Sequence, residues 1–491
     1  MCKSLVFLFF FFVLICPLGA QILPKEGSNL NYRLIGFSFP LEKNAGKSSL
    51  EIAKGNWSTE EAFKKNIIKK QPCKTNKIVI ELASFGSQYS WRVVYTDAKQ
   101  VTKAGELHHF STDINKRVNM DSTRLRIAKT NEKYKDDFLF IDHSGVLYDM
   151  KGAPVWFLPK GDEIISSIRD MKLSAFGTIT YLAKDSAYEV NYAGDIIWQG
   201  PNNGKVSGDS AERYHHEFKR MANGHYMLLG DEVVLWKKKL LTANDSNIAA
   251  PAAIKAHFGT IIEYNEKGDV VWTWRSSGYF IKSDVNYYDG SRTGEEDPVH
   301  ENAFYFDEQH KIIYVGFKNI SRILKVKYPE GTVIESYGEI YKAGIPASGN
   351  GLFCSQHSIG LTENGYLYMF NNNTCNEGKA ATVILMKEPG PGEEGLKKVW
   401  EYVCPVEAGR PPLFTTGGNV VELKDHSLLV CMGLTMNKIL IVGRDKKIAW
   451  SAFNEAWSPY EKKWWVLPQY RTNIIEGRKN LEKLIWNVET K

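Results

Sequence analysis

From about residue 135 onward, apolar and polar residues alternate in short runs broken by turn residues, and the pattern keeps returning. Alternation with a period of two marks strands that bury one face. One recurrent unit is a strand pair ending in tryptophan. Its copies are GVLYDMKGAPVW to Trp156, AYEVNYAGDIIW to Trp198, GTIIEYNEKGDVVW to Trp272, ATVILMKEPGPGEEGLKKVW to Trp400 and KILIVGRDKKIAW to Trp450. A further copy, RILKVKYPEGTVIESY, lacks the tryptophan. A second hairpin precedes most copies: KLSAFGTITYLAKD, HHEFKRMANGHYMLLGD, ENAFYFDEQHKIIYVGFKN, QHSIGLTENGYLYMFNNN and NVVELKDHSLLVCMG. Two hairpins make a four-stranded unit, and six such units predict an all-β, six-bladed β-propeller over residues 121–491. The tryptophans are expected to pack between units. The first unit, near 137–160, is one strand short. A segment from before or after the array should complete it, since an open sheet edge is a liability.

Inserts at 232–256, 275–299 and 338–355 read as loops on one rim, where pockets are usually built. The tail after 452 carries Trp457, Trp464, Trp465 and Tyr470-Arg471 and is expected to pack over that rim. Residues 21–120 read as a separate small β-sandwich, fibronectin-III-like, with Tyr89–Tyr95 as its clearest alternating strand. Residues 1–20 read as a signal peptide: Lys3, then an apolar run from Leu5 to Ile15, then Leu18-Gly-Ala20 before Gln21. The protein is therefore expected in the periplasm or outside the cell, without a membrane anchor.

Apolar residues make up 43% of the 491-residue chain, which excludes general disorder. The net charge of +6 is mild and shows no basic stripe, so nucleic acid is not an expected partner. Export permits disulfides. Beyond residue 20 the cysteines are Cys73, Cys354, Cys375, Cys404 and Cys431, an odd number that leaves at least one free thiol. Cys354 and Cys375 flank one hairpin and are the expected bridge; Cys404–Cys431 is a weaker candidate.

Three hairpins open on a histidine. His216 lies seven residues before Asn223-Gly224, and His357 lies seven before Asn364-Gly365. His300 opens the hairpin between them, with a longer turn. Asn-Gly demands a tight primed turn, so these positions are structurally equivalent. In a propeller the first strand of each blade runs nearest the axis, so the three imidazoles should converge at one mouth of the channel. Lys318 ends the His300 hairpin and should return there. The result is a cationic cup suited to an anionic group with several oxygens. Two other readings stay open: a metal held by the histidines with help from Glu217 or Glu301, and a non-catalytic propeller whose rim binds a protein or glycan. His108, His109, His143, His225, His257, His310 and His426 read as structural.

The motifs HHEFKRMANGHYMLL, HENAFYFD with IIYVGFKN, and QHSIGLTENGYLYMFNNN resemble those of the bacterial aryl-sulfate sulfotransferases, over about residues 21–475. The resemblance implies transfer of a sulfuryl group from a phenolic sulfate ester to a phenol through a sulfohistidine. It implies no cofactor, no metal and no nucleotide donor. His357 matches the nucleophile of that family, His216 and His300 match its other active-site histidines, and Asn302 matches the Asn of its H-x-N motif. Lys318 stands where the family usually has arginine. Expected partners are small phenolic donors and acceptors, and a homodimer is the assembly considered. Phe353, Tyr214, Trp457 and Trp464 are candidates for an aromatic wall, and His215 and Arg471 for further substrate contacts.

Overall fold

The computed structural model describes residues 21–42, 45–159, 167–236, 254–280, 295–338, 351–376, 378–406 and 416–487. The predicted signal peptide and the centres of the three inserts lie outside these residues. Strands dominate; the helices are short, the longest being Arg478–Trp486. The chain is all-β and divides into two compact units, 1–113 and 114–491.

In the first unit, Ser87–Asp97 is the central strand of a sheet that also holds Ala45–Lys54, Ile67–Cys73, His108–Thr112, Ser28–Leu30 and Thr102–Ala104. Leu34–Ser38 pairs with Lys77–Glu81 in a second, two-stranded sheet. The core between them is aromatic, with the Phe37 and Trp91 rings 5.1 Å apart, edge to face. Two polar residues of the central strand, Ser90 and Arg92, are buried as well. Arg92 is tolerated there because Glu51 and Glu60 neutralise it.

The second unit contains six sheets among the described residues. They are numbered I to VI here in the order in which the chain first enters their meanders. Sheet I holds Phe138–Ile141, Val146–Asp149 and Pro154–Phe157, and its fourth strand is Thr472–Ile475 from the C-terminal tail. The short first repeat is thus completed from the far end of the chain. Sheets II, III, IV and V begin with Arg169–Leu173, Tyr214–Arg220, Glu301–Asp307 and His357–Leu361, and each runs as an antiparallel meander of four strands. Sheet VI begins with Asn419–Glu422, and its long strand Ile448–Ser458 pairs with both Lys463–Val466 and Thr123–Lys129.

The tryptophans do join successive sheets. The indole N–H of Trp156 donates to the carbonyl of Tyr192, and Trp198 stacks on Tyr226 at 3.8 Å. Trp272 and Trp274 donate to the carbonyls of Pro329 and Gly331, and Trp400 to that of Arg444. Trp450 donates to the carbonyl of Met150, which brings sheet VI back to sheet I. Where the tryptophan is missing, Tyr314 and Tyr337 from sheet IV share Glu388 at the end of sheet V with Lys325. An indole offers a large apolar face and one donor, and the donor is satisfied across the seam in Trp156, Trp272, Trp274, Trp400 and Trp450.

Cys354 and Cys375 form a disulfide. Cys404 and Cys431 do not: both are buried free thiols, Cys404 beyond the last strand of sheet V and Cys431 within sheet VI. The 232–256 insert is also shorter than expected. Glu232–Trp236 and Ile254–Ala256 are paired strand, continuing the central hairpin of sheet III.

Candidate functional site

The first strands of sheets II to V share a distortion. Their pairing with the second strand slips between Arg169 and Lys172, His215 and Phe218, Glu301 and Ala303, and His357 and Ile359. A residue of positive φ lies within three of the slips, Asp170 (53°), His216 (60°) and Ser358 (54°), and His300 (51°) stands just before the fourth. A bulge re-aims side chains at the end of a strand, and left-handed geometry at a non-glycine residue is a cost that function often retains. Here it turns the histidines toward one another. The His216 ring lies 5.1 Å from that of His300 and 6.5 Å from that of His357.

Each imidazole is held from behind. His357 Nδ1 lies 2.7 Å from Asn372 Oδ1, and Asn372 Nδ2 in turn donates to the carbonyl of Gly417 at 3.0 Å. The amide is thus fixed with its oxygen toward the ring, so Nδ1 carries the proton and Nε2 keeps its lone pair. The disulfide ties together the segments on which His357 and Asn372 sit. His300 Nδ1 contacts Asp297, and the carbonyl of His300 accepts the Lys318 backbone N–H at 2.9 Å. His216 Nδ1 lies 2.8 Å from His215 Nδ1, and His215 Nε2 lies 3.0 Å from Asp231. His257 faces the other oxygen of Asp231 at 3.6 Å.

These surroundings divide the protonation states. Burial pushes the His357 imidazole down to about 3, and the nearby charges of His300, Lys318 and Arg471 work in the same direction against its bond to Asn372. Burial likewise pushes His216 well below the usual histidine range, aided by His215 and His300. Burial also opposes charge on His215, but the carboxylate of Asp231, with Glu301 and Asp297 behind it, raises that imidazole to about 9. The buried carboxylate of Asp231 is held well below its ordinary range by His215 and His257. Near neutrality the cluster therefore holds neutral His216 and His357 beside a charged His215. Burial lowers Lys318, which Asp297 partly offsets.

A second layer braces the cup. Asn302 is fully buried; its Nδ2 donates to the carbonyl of Gln356 at 2.7 Å, next to His357. Gln356 Nε2 donates to the carbonyls of Arg322 and Phe317, the latter next to Lys318. Arg471 donates to the carbonyl of Asn302 and pairs with Glu217 at 2.6 Å and Asp170 at 3.3 Å. Lys172 completes that buried network.

Several candidates thus fall outside the role expected of them. Arg471 is committed to two carboxylates and a carbonyl. His215 has both ring nitrogens engaged by protein. Asn302 is part of the scaffold. Phe353 packs in the core with Ala303, Ile359 and Met369, 3% exposed, because the chain turns it inward beside the disulfide. Tyr214 is buried too, its hydroxyl held by Pro201 and Tyr264. Trp457 and Trp464 face each other across the hairpin of sheet VI, with Arg124 over Trp464, and do not approach the histidines. Tyr470 does: its ring lies 5.8 Å from His216 and 6.2 Å from His357. A cavity of about 320 Å³ opens beside His215, His216 and Tyr470, with Arg169 in its wall. Asp231 and Arg169 were not singled out by any motif; Tyr470 was marked only as part of the aromatic tail, and Asn372 only as part of the Asn371–Asn373 run that closes the His357 hairpin. Among the described residues, no group of three or more His, Cys, Asp or Glu side chains is placed to hold a metal ion.

Residues 123–389 match the family described as Arylsulfotransferase (ASST), more than half of the chain. The chain belongs to the arylsulfotransferase family. It is a sulfotransferase. No curated protein matches the chain. Similar solved structures include KlHsv2 with loop 6CD replaced by a Gly-Ser linker, at 11% identity, 81% of this chain, 94% of that chain and a TM-score of 0.30. Dihydro-heme d1 dehydrogenase NirN in complex with DHE is similar at 10% identity, 73% and 78% coverage and a TM-score of 0.35. Apo AztD from Citrobacter koseri is similar at 9% identity, 88% and 98% coverage and a TM-score of 0.31. Such scores lend no weight to a functional argument.

Proposed function

We propose that this arylsulfotransferase moves a sulfuryl group between phenols through a sulfohistidine on His357 Nε2. The observation that carries the reading is the tethered, neutral imidazole of His357. Its free lone pair faces a cup formed with His216 and His300, and Lys318 is close enough to act on its charge.

In the first half-reaction Nε2 attacks sulfur, the S–N bond forms, and the S–O bond to the aryl oxygen breaks. The departing phenolate takes a proton from Nε2 of His216. His216 Nδ1 is refilled from charged His215, whose remaining positive charge is thereby lost. The acceptor phenol runs these steps in reverse: its proton passes to His216 and on to His215, and its oxygen takes the sulfuryl group. The kinetics are ping-pong, with no nucleotide donor. Lys318, His216 and His300 hold the charge that spreads over the sulfuryl oxygens, a single such donor being typically worth about 3 kcal/mol.

The six sheets belong to a six-bladed propeller, with the site at one mouth of its axis, following a small N-terminal β-sandwich. The joined seams and the strand returned from the tail support this reading. The leader-like N-terminus and the disulfide support export to the periplasm or beyond the cell.

A chromogenic aryl sulfate tests the function. Release of chromophore should depend on added phenol and fall by more than about a thousandfold in His357→Ala. Release that ignores the acceptor and survives the substitution contradicts the reading.

A further inference from the structure

Glu301 follows His300 directly, at the start of sheet IV. Its carboxyl is buried, and among the described residues neither oxygen has a hydrogen-bond partner. It leans across the seam onto sheet III. There Gly259 lies directly opposite Asp231, where Tyr226–Trp236 pairs with Ile254–Tyr264. Opposed residues of an antiparallel pair send their side chains to one face, with Cβ atoms about 4.5–5.5 Å apart. Gly259 has no side chain, and Glu301 fills the space: a Cβ on Gly259 would overlap its Oε2. The carboxyl of Glu301 is thus set beside that of Asp231, the group that charges His215. The other titratable groups around this pair are His215 and His257 from sheet III and Asp297 ahead of His300.

A carboxylate without donors in a dry site is the costly form of the group. A second negative charge beside it raises the cost, so one of two adjacent carboxyls keeps a proton. Asp231 has His215 and His257 facing its oxygens and takes the charge, which leaves the proton to Glu301. Burial acts in the same direction, holding Glu301 protonated well above the usual carboxylate range.

We infer that Glu301 is a positioning residue for the transfer reaction, a neutral carboxylic acid whose O–H turns to Asp231 and supports its charge whenever His215 is without its proton. This rests on the sulfuryl-transfer reading. In the first half-reaction the proton of His215 passes through His216 to the leaving phenolate. Asp231 is then a buried anion that has lost its counter-charge, a state a lone carboxylate opposes. A proton shared between two carboxyls spreads that charge, and no atom leaves the pair. When the acceptor phenol returns a proton to His215, the O–H of Glu301 is released.

Infrared difference spectroscopy tests the pair. The native protein minus Glu301→Gln, near neutral pH, should show the carbonyl band of a protonated carboxyl group. Charging the enzyme with an aryl sulfate in the absence of phenol should move that band to lower frequency, as the O–H bonds to Asp231. Glu301→Gln keeps a donor of the same shape and should turn over within about threefold of the native rate, whereas Glu301→Met removes the donor and should lower kcat about tenfold or more with little change in KM. The inference is overturned by the absence of a protonated-carboxyl band, by native kcat in Glu301→Met, or by equal losses in the two variants. It is also overturned by a band that stays in place in enzyme shown by mass to carry the sulfuryl group. The band of the resting protein needs no turnover. Its presence supports the carboxyl pair even where no transfer occurs, and a failure of transfer then counts against the proposed function alone.

Discussion

His215 and His216 are adjacent in sequence, yet their Nδ1 atoms meet at 2.8 Å. Only one of two facing nitrogens can carry the proton, and Asp231 settles which by stabilising His215 as an imidazolium. His216 is left with its proton on Nε2, the nitrogen directed away from His215. Strain at His216, with φ of 60°, is what allows the two rings to meet at all.

Asp231→Asn should therefore weaken transfer without emptying the site. Losing a charge at this distance lowers the pKa of His215 by about 1–3 units, so the alkaline limb of the rate profile, set near 9 in the native enzyme, should move toward neutrality. Rates measured from pH 5 to 10 on both proteins decide the point. An unmoved limb means that His215 takes no part in proton transfer.

His357 makes a complementary prediction at the acid end. Its imidazole is pushed down from 6.5 to about 3, so the proposed nucleophile stays unprotonated well below the pH at which an ordinary histidine would be lost. Transfer should persist at pH 5. The same shift bears on folding. As pH falls from 6.5 toward 3, the unfolded chain gains a proton that the folded site refuses, so stability declines across that window. His215 has the opposite sign: its contribution is complete below 6.5 and is lost as pH rises through about 9. Melting curves over this range, compared between the native protein and His357→Phe, show whether the acid-side slope flattens.

Asn372 was legible as one of three asparagines closing the strand that returns from His357, a run that reads either as a bond to the imidazole or as a turn, with nothing in the sequence to say which asparagine would face the ring. The structure gives Asn371 to the Cys354 backbone and Asn372 to the imidazole. His216 and His357 stood out because both lie seven residues before an Asn-Gly turn, and His300 and Lys318 because they open and close the hairpin between them, with its longer turn. Cys354–Cys375 could be found because the two cysteines flank the His357 hairpin. Asp231 and Arg169 could not, since they come from a second strand and from a sheet whose first strand holds no histidine. Tyr470 was legible only as part of an aromatic tail, whose strand joins sheet I. Phe353 was misjudged because sequence gives its position beside the site but not the direction of its side chain. Arg471 was rightly drawn to the site and given the wrong task, since its carboxylate partners lie on other sheets.

Replacing Asn372 with alanine should lower kcat more than it changes KM, by about tenfold to a hundredfold. It frees His357 to turn over its tautomer and leaves the buried N–H only its long 3.3 Å contact with the Ser355 carbonyl, at about 1–3 kcal/mol of stability. Steady-state kinetics with thermal unfolding on one preparation measure both effects.

Lys318 separates charge from geometry. Lys318→Ala should cost about 10²–10³ in kcat, as loss of one oxyanion donor does, whereas Lys318→Arg should retain activity. Equal losses in the two variants indicate that the fit of the lysine side chain matters and not its charge alone, whereas no loss in either leaves Lys318 only its backbone bond to His300.

The disulfide closes a 21-residue separation around the hairpin that carries His357. Replacing both cysteines by serine should lower stability by about 2–4 kcal/mol. It should also lower kcat, because the segments bearing His357 and Asn372 lose their tie. A variant that melts lower but turns over at the native rate would show that the bridge serves folding alone.

The most direct measurement is to mix the enzyme with an aryl sulfate in the absence of any phenol, quench within the first turnover, and weigh the peptides. The account predicts one added sulfuryl group on the peptide containing His357, discharged when phenol is supplied before the quench. Turnover without that adduct, or an adduct on His216 or His300 instead, contradicts it.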